Sequence, residues 1–308
     1  MVQPIKLVID TDPGVDDAIA ILMALAAPEV EVVGLTSVGG NAPLARTTRN
    51  LLALLQAARC EGIPVAKGAS RPLRGKFTYA ARFHGPGGLS IRLPEPVIRP
   101  VDQGVVPFLH DLLTQESGSV VLVALGPLTN VARLLCEHPD ALEHAKNFVA
   151  MGGAVNAPGN VTPLAEFNAY CDPIAADIVF SSRVPITLVD LAACRQVGIN
   201  RQQAFGLHSR HPLGQLTLNL LQGWFKKEPS RQRFEFYDPL AMAVALNPAV
   251  ASMTKIDLDV DLQQGGSWGA TSETGGPGEI TLLQDVYAPR FFTLLEELLE
   301  LEGLPTGY

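Results

Sequence analysis

The stretch IKLVIDTDPGVDDA, residues 5–18, decides how the chain begins to fold. Its apolar run at residues 6–9 is typical of a buried parallel strand, and Pro13-Gly14 predicts a tight turn after it. Residues 18–27 consist of Ala, Ile, Leu and Met, which favour a helix, here predicted over 16–27. A strand, a tight turn and a helix in this order are typical of a unit of an α/β fold.

Four aspartates in this stretch indicate a bound cation. Asp10 and Asp12 are two positions apart and would point to the same side of the strand end. Asp16 and Asp17 fall in the first helical turn, near the positive end of the helix dipole. Two like charges about 4 Å apart repel by roughly 4 kcal/mol at an effective dielectric near 20, and Lys6 is the only basic residue before Arg46. An all-oxygen ligand set favours Ca²⁺ or Mg²⁺ over zinc.

The aspartate run also has roles that would need no such cation site. Helix capping by Asp16 and Asp17, with Asp12 supporting the turn, would need no metal. An EF-hand loop needs Gly at its sixth position and Glu at its twelfth, where a count from Asp10 gives Val15 and Ile21. No phosphate-binding glycine loop follows a strand. A phosphatase with a nucleophilic aspartate near the N-terminus remains an alternative.

Composition bounds the class of protein. The 308 residues are 47% hydrophobic, enough for a large core, and we predict one domain over 1–308. The net charge of −8 argues against nucleic acid or an anionic membrane as a partner. No apolar stretch reaches the roughly 18 residues of a spanning helix. The four cysteines lie far apart without a Cys-x-x-Cys motif, which predicts free thiols in a cytoplasmic protein; they are Cys60, Cys136, Cys171 and Cys194.

Apolar runs alternate with helical stretches through the first two thirds of the chain. This pattern predicts an α/β fold with an open, mostly parallel Rossmann-like sheet flanked by helices. The predicted strands cover 6–9, 30–36, 63–66, 119–125, 147–151 and 184–189, and the predicted helices cover 16–27, 43–57, 105–115, 129–137 and 173–181. For the C-terminal half we predict further helices at 213–225, 239–246 and 290–301, and an antiparallel extension from 255–262 and 279–286.

Polar clusters follow several of these strands. Asn41 comes after Gly39-Gly40, residues 126–130 follow the strand at 119–125, and Gly152-Gly153 follow Met151. Ligands of open parallel sheets bind beyond the carboxyl ends of the strands. We therefore expect these clusters at the same edge as Asp10 and Asp12.

With these positions assembled, the chain resembles the inosine-uridine-preferring nucleoside hydrolases. Residues 10–18 are similar to the diagnostic Asp-x-Asp-Pro-Gly-x-Asp-Asp-Ala of that family, and ordered matches continue along nearly the whole chain. These matches are Gly39-Gly40-Asn41, Phe83-His84-Gly85, residues 126–130, Met151-Gly152-Gly153, Asn160, Glu166-Phe167-Asn168 and Asp238-Pro239-Leu240-Ala241. An ordered series of this length is hard to obtain by chance.

The resemblance implies Ca²⁺-dependent hydrolysis of the N-glycosidic bond of ribonucleosides to ribose and a free base. It implies a Ca²⁺ held by Asp12, Asp17, Asp238 and the carbonyl of Leu125. Asp12 would be the general base toward a calcium-bound water, with Asp10 supporting it. The implied sugar contacts are Asp16, Asn41 and Asn168 to the 2′ and 3′ hydroxyls, Asn160 and Glu166 to the 5′ hydroxyl, and Met151 packed on the ring.

The chain departs from the family pattern where the departing base would be protonated. Well-studied members have His before the last Asp of the series, and Tyr237 stands there in this chain. A phenol is a poorer acid near neutral pH. Four alternatives therefore remain open for the departing base: protonation by Tyr237, protonation by His84 of the lid-like segment 82–88, protonation through a water relay, or no protonation at all. Aromatic side chains that could stack on a base or simply pack are Phe77, Tyr79, Trp224 and Phe225.

The resemblance also implies a small-molecule ribonucleoside substrate and a homodimer or homotetramer. Two alternatives stand beside the hydrolase. A non-catalytic nucleoside-binding protein could retain the same pocket, and an aspartyl phosphatase would form a phosphoaspartate on Asp10 with Mg²⁺. Turn formation would account for Asn41 and Asn160 without a ligand, and core packing would account for Met151.

Overall fold

The computed structural model describes residues 4–85, 87–275 and 278–305, and Pro86 of the lid-like segment lies outside them. Within these ranges the strands are, in chain order, Ile5–Thr11 (β1), Val30–Ser37 (β2), Val65–Lys67 (β3), Val120–Ala124 (β4), Asn147–Met151 (β5), Ile186–Val189 (β6), Gly198–Asn200 (β7), Arg233–Glu235 (β8), Ala251–Ile256 (β9), Leu258–Val260 (β10), Thr271–Glu273 (β11) and Ile280–Val286 (β12).

The helices pack around these strands. They are Val15–Ala26 (α1), Leu44–Ala57 (α2), Ala81–His84 (α3), Val105–Gln115 (α4), Thr129–Glu137 (α5), Phe167–Cys171 (α6), Pro173–Phe180 (α7), Leu191–Cys194 (α8), Arg201–Gly206 (α9), Pro212–Lys227 (α10), Tyr237–Leu246 (α11) and Ala288–Leu299 (α12), with short 3₁₀ turns at Ala141–His144 and Pro248–Val250. No helix within the described ranges is long and apolar enough to cross a membrane.

An eight-stranded sheet organises the fold, in the order β3-β2-β1-β4-β5-β6-β12-β9. Its strands are parallel except at the edge, where β9 runs antiparallel to β12. The order 3-2-1-4-5-6 is that of a doubly wound sheet, which reverses direction between β1 and β4. The carboxyl ends of β1 and β4 therefore flank the crevice in which this architecture places a ligand. The predicted fold class is confirmed.

Helix α1 is buried along most of its length and packs against α10 and α11. Its small and branched apolar side chains let neighbouring helices approach closely, which places the first turns of α1 and α11 side by side at the sheet edge. An aromatic group consisting of Trp224, Phe234, Phe236 and Phe291 fills the space below them, with consecutive ring centroids 5.0–5.5 Å apart.

Most predicted helices and strands begin and end within two residues of their predicted bounds. Three have the predicted bounds at both ends, namely those at 105–115, 129–137 and 147–151. One prediction needs correction. The segment 255–262 is not one strand, because Ile256 ends β9 and Leu258–Val260 pairs instead with Thr271–Glu273 in a separate two-stranded sheet. The antiparallel pairing with 279–286 is confirmed, through β9. The sheet draws strands from both halves of the chain, and one domain over 1–308 stays a prediction.

Candidate active site

Five aspartates meet at the carboxyl edge of the sheet. Asp10 lies at the end of β1, Asp12 follows it, Asp16 and Asp17 lie in the first turn of α1, and Asp238 lies in the first turn of α11. All five are buried, with at most 6% of the residue surface exposed. One carboxylate oxygen each from Asp16, Asp17 and Asp238 lie within 4.8 Å of one another, a group that could hold a metal ion.

Asp17 is held rigidly from several sides. Its Oδ1 accepts hydrogen bonds from Thr11 Oγ1 at 2.6 Å and from the Asp12 amide at 3.3 Å. Its Oδ2 accepts from the Gly14 amide at 2.8 Å and from Asn41 Nδ2 at 3.0 Å. These bonds fix the Asp-Pro-Gly turn to the start of α1, so the carboxylate is set in place before any ligand binds.

Asp12 shares Asn41 with Asp17. The backbone amide of Asn41 donates to Oδ2 of Asp12 at 2.5 Å. The other oxygen of Asp12, Oδ1, is buried and accepts no hydrogen bond within the described part of the chain. The same holds for Oδ1 of Asp16 and Oδ2 of Asp10. Buried polar atoms without partners are rare and call for a physical reason. For Asp12 a hard cation, which prefers carboxylate oxygens, provides one, and the donor set fits Ca²⁺ or Mg²⁺.

Asp10 stands behind the other acids and is positioned by the neighbouring strand and helix. Thr36, its register partner on β2, donates its hydroxyl to Oδ1. Asn130, in the first turn of α5, donates to the same oxygen at 2.7 Å. Asn130 also accepts from the Ala69 amide at 2.9 Å, so it joins three segments of the site. Sequence reasoning assigned no role to Thr36, the last residue of a predicted strand, or to Asn130, the last residue of the cluster at 126–130.

Burial and mutual repulsion shift the ionisation of the acids. Burial raises the pKa of Asp10 to about 7. Burial, followed by the charge of Asp17, raises the pKa of Asp16 to about 8 and raises the pKa values of Asp12 and Asp238 well above their usual range. Without a cation the pocket therefore retains protons near neutral pH.

These shifts predict how stability depends on pH when the protein is kept in EDTA. Asp10 and Asp16, with Glu166, whose pKa burial raises to about 7, bind more protons folded than unfolded between about pH 4 and pH 8. The free energy of unfolding should fall as pH rises through this window, because the slope follows the difference in bound protons. Urea titrations between pH 4.5 and pH 8.5 measure it. Asp16→Asn should flatten the fall, and a stability that rises across the window would contradict the prediction.

The predicted sugar contacts come together only in part. Asn168 Nδ2 donates to the Leu125 carbonyl at 2.8 Å and to the Met151 carbonyl at 3.2 Å, so β4, β5 and α6 meet there. Met151 is buried beside it. Glu166 caps α6, and its carboxylate accepts the amides of Asn168, Ala169 and Gly153. Asn160 is exposed at the rim.

The two predicted proton donors for the base make internal hydrogen bonds. The Tyr237 hydroxyl donates to the carboxylate of Glu235, and burial together with that carboxylate raises its pKa. Nδ1 of His84 accepts from the Val15 amide at 3.1 Å. Burial and the charges of Arg231 and Lys227 lower the pKa of His84 to about 3, so the imidazole is neutral near pH 7. The Tyr237 hydroxyl proton is therefore committed to Glu235, whereas neutral His84 carries its proton on Nε2, because Nδ1 is the acceptor.

A cavity of about 620 Å³ opens above the acids. Its lining joins the acidic edge to aromatic and arginine side chains from α3 and from the end of α10 onward. The lining includes Asp16, Asn41, Tyr79, Arg82, Phe83, His84, Leu125, Met151, Asn160, Glu166, Asn168, Trp224, Glu228, Arg231, Arg233, Tyr237 and Asp238. Of the aromatic residues considered for stacking, Tyr79 and Trp224 reach the cavity, whereas Phe77 and Phe225 are buried in packing. Phe83 of α3 also lines it.

Comparison with known proteins decides what this arrangement is. The sequence profile of the family described as "Inosine-uridine preferring nucleoside hydrolase" matches residues 7–293. This chain belongs to that family. It is 36% identical to the pyrimidine-specific ribonucleoside hydrolase RihA of Salmonella paratyphi A over 312 residues, covering 96% of this chain and 98% of that protein. It is 34% identical to the probable uridine nucleosidase 1 of Oryza sativa subsp. japonica, covering 96% of each.

Solved nucleoside hydrolases share the fold over nearly the whole chain. The plant nucleoside hydrolase PpNRh1 superposes with a TM-score of 0.89 at 31% identity, covering 98% of this chain and all of that one. A purine-preferring ribonucleoside hydrolase from Gardnerella vaginalis gives a TM-score of 0.86 at 29% identity, covering 96% and 98%. The chain is therefore an N-glycosyl hydrolase that acts on small-molecule ribonucleosides, and its family is metal-dependent. This assignment favours nucleoside hydrolysis over the phosphatase alternative.

A glycine of this nucleoside hydrolase provides a test of the site geometry. A Cβ built on Gly40 would overlap Oδ2 of Asp12, so Gly40→Ala must displace that carboxylate. We expect kcat/KM to fall about 100-fold, since a misplacement near 1 Å has this effect in an active site. Gly62→Ala is the matched control, because a Cβ on Gly62 meets nothing within 4 Å. Ribose-release kinetics and thermal unfolding measure both variants; equal activities would show that Asp12 needs no fixed position.

Proposed function

We propose that this nucleoside hydrolase uses Ca²⁺ to cleave the N-glycosidic bond of ribonucleosides, releasing ribose and a free nucleobase, with Asp12 as the general base. The observation that carries the proposal is the buried Oδ1 of Asp12, which accepts no hydrogen bond within the described residues. The charges of Asp16 and Asp17 act on Asp12. Those two acids and Asp238, a group that does not include Asp12, have oxygens close enough together to hold a metal ion.

The metal would be held by Asp12, Asp17, Asp238 and the backbone carbonyl of Leu125. These are oxygen donors only, in keeping with a hard alkaline-earth ion. Leu125 contributes its carbonyl at the carboxyl end of β4, where that oxygen accepts a hydrogen bond from Asn168. When bound, such an ion lowers the pKa of water in the site and offsets the repulsion among the carboxylates.

The side chains of the protein account for the remaining requirements of the reaction. Asp12 would accept the proton of the attacking water at Oδ1, while its Oδ2 stays anchored to the Asn41 amide. Asp10, fixed by Thr36 and Asn130, would hold negative charge behind Asp12. Cleavage develops positive charge on the ribose, and fixed carboxylates stabilise that charge as it forms.

Sugar recognition follows from the same wall of the cavity. Asp16, Asn41 and Asn168 line the cavity beside the acids and would bind the 2′ and 3′ hydroxyls. Met151 would pack on the ring, and Asn160 with Glu166 would contact the 5′ hydroxyl. We further propose that the enzyme works as a cytoplasmic homodimer or homotetramer of single-domain chains.

A ribose-release assay tests the proposal. Protein treated with EDTA should be inactive toward uridine, inosine, cytidine, adenosine and guanosine, and Ca²⁺ should restore release of reducing sugar and free base from at least one of them. Mg²⁺ should restore less, because it requires a near-ideal octahedral shell and gives up its water reluctantly, whereas Ca²⁺ accepts six to eight ligands in flexible geometry. Binding of intact nucleoside by the calcium-loaded protein without any sugar release would overturn the proposal, as would full activity in EDTA.

A further inference from the structure

Three arginines line the cavity on the side formed by α3 and the segment after α10: Arg82, Arg231 and Arg233. Arg231 is the least exposed of them. Its guanidinium lies 4.1 Å from the centroid of the Trp224 ring. The aromatic side chains Phe83, Trp224 and Tyr237 line the same part of the cavity, which is therefore shaped for a flat, polar ring.

The charge of Arg231 is held in a fixed position. One terminal nitrogen donates to the Trp224 carbonyl at 2.7 Å, and the other donates to the carbonyls of Phe83 and Arg82 at 2.6 and 3.1 Å. These bonds join α10 to the short helix α3 across the cavity wall. A cation fixed in this way acts on a developing anion without having to reorganise.

Within the described residues no carboxylate forms an ion pair with Arg231, and the charge of Glu228 acts on it only from beyond 4.0 Å. Among the residues that the structure describes, none of the three cavity arginines lies within 4.0 Å of an acidic oxygen. Glu228, the acid of this rim, is exposed and accepts a hydrogen bond from Ser230 at 2.9 Å. This wall of the cavity therefore carries net positive charge, in contrast to the acidic edge where the sugar would bind.

The neutral side chains nearby give the departing base no proton. The Tyr237 hydroxyl already donates to Glu235. Nδ1 of His84 accepts from the Val15 amide, so this neutral imidazole can donate a hydrogen bond from Nε2 but is too weak an acid to protonate the base. A base that leaves from this site without an acid leaves with negative charge. Three arginines on this wall could match such a charge, and among them Arg231 is the least exposed and has its guanidinium fixed by three backbone carbonyls.

We infer that Arg231 stabilises the nucleobase as it leaves as an anion, so that the rate depends on the acidity of the leaving base. The inference rests on the proposed function, because the ribose must bind at the acids for the base to lie against Arg231.

The step balances without a general acid. The bond between C1′ and the base nitrogen breaks with both electrons going to the base, and the oxygen of a water molecule forms the new bond to C1′. Asp12 takes the proton of that water. The base anion is then protonated by solvent, and Asp12 returns its proton to solvent, so nucleoside and water give ribose and neutral base.

A leaving-group series tests the inference. 5-Fluorouracil is a stronger acid than uracil and 5-methyluracil is a weaker one, while the sugar is identical in their nucleosides. In calcium-loaded wild type, kcat/KM should rise from 5-methyluridine through uridine to 5-fluorouridine, and cytidine should be at least about tenfold slower than uridine. Arg231→Gln should lower kcat for uridine by about 100-fold, the effect of removing one fixed stabilising donor.

Arg231→Gln must also change how steeply kcat depends on the acidity of the leaving base. A cavity wall that is merely loosened would not change this dependence. In Arg231→Gln the ratio of kcat for 5-fluorouridine to kcat for uridine should increase about tenfold. Arg231→Lys, which keeps the charge, should restore part of kcat for uridine and return the ratio part of the way to its wild-type value. Arg210→Gln removes an exposed arginine outside the cavity lining and serves as control. An equal fall for all substrates, or a wild-type rate independent of base acidity, would overturn the inference. No sugar release from any nucleoside would instead overturn the proposed function.

Discussion

Asp12→Asn is expected to lower kcat for ribose release from uridine by about 10³-fold. General-base catalysis contributes about 10² to 10⁴ in rate, and an amide cannot accept the proton that Oδ1 of Asp12 would take. Asparagine keeps nearly the same shape, and its own oxygen can still accept the hydrogen bond from the Asn41 amide. The fold and the shape of the pocket should therefore survive the change.

Separating loss of the base from loss of the metal requires two further measurements. Calcium binding to Asp12→Asn, followed by calorimetric titration, should persist with weakened affinity, because Asp17, Asp238 and the Leu125 carbonyl remain. The activity should stay low at calcium concentrations that saturate the variant. Asp140→Asn, at an exposed position whose side chain caps nothing, should match wild type. Recovery of full activity at high calcium would mean that Asp12 serves only to hold the ion.

The fold was predictable because its strongest signals are local. β1, the Asp-Pro-Gly turn and α1 follow each other within residues 5–26, and each has the periodicity and turn chemistry of its element. The continuous apolar strands indicated a parallel sheet covered on both faces. The short elements α3, α6, α8 and β7 were missed, because three to five residues carry too little periodic pattern to be recognised.

The acids of the site could be found from sequence for the same reason, since four of them stand in one short run. The residues that donate hydrogen bonds to these acids could not be found from the sequence. Thr36 and Asn130 reach Asp10 from 26 and 120 positions away, and this contact depends on the strand order, which periodicity does not give. The hydrogen bond from Tyr237 to Glu235 spans two residues, yet it depends on β8, a strand of three residues. Sequence reasoning accordingly left the route of the departing base open.

A 2′-deoxyribonucleoside is expected to react about 10⁴-fold more slowly in kcat/KM than its ribonucleoside. Asp16, Asn41 and Asn168 are buried polar residues that line the cavity at its acidic edge. Oδ1 of Asp16 accepts no hydrogen bond from the described residues, so it is available to a sugar hydroxyl. A site built to bind a hydroxyl rejects the analogue that lacks it by about 10⁴ or more, because its buried groups are left unpaired.

The position of the missing hydroxyl should matter, which distinguishes a lost contact at the acidic edge from a general loss of affinity. The residues proposed for the 5′ hydroxyl differ from the buried ones proposed for the 2′ hydroxyl. Asn160 is exposed, and the Glu166 carboxylate already accepts hydrogen bonds from three backbone amides. Loss of the 5′ hydroxyl should therefore cost only about tenfold, the effect of one ordinary hydrogen bond. Competition kinetics with uridine, 2′-deoxyuridine and 5′-deoxyuridine at saturating calcium measure the ratio directly. If the two deoxynucleosides react at similar rates, the acidic edge does not bind the 2′ hydroxyl, and Asp16 must serve another purpose.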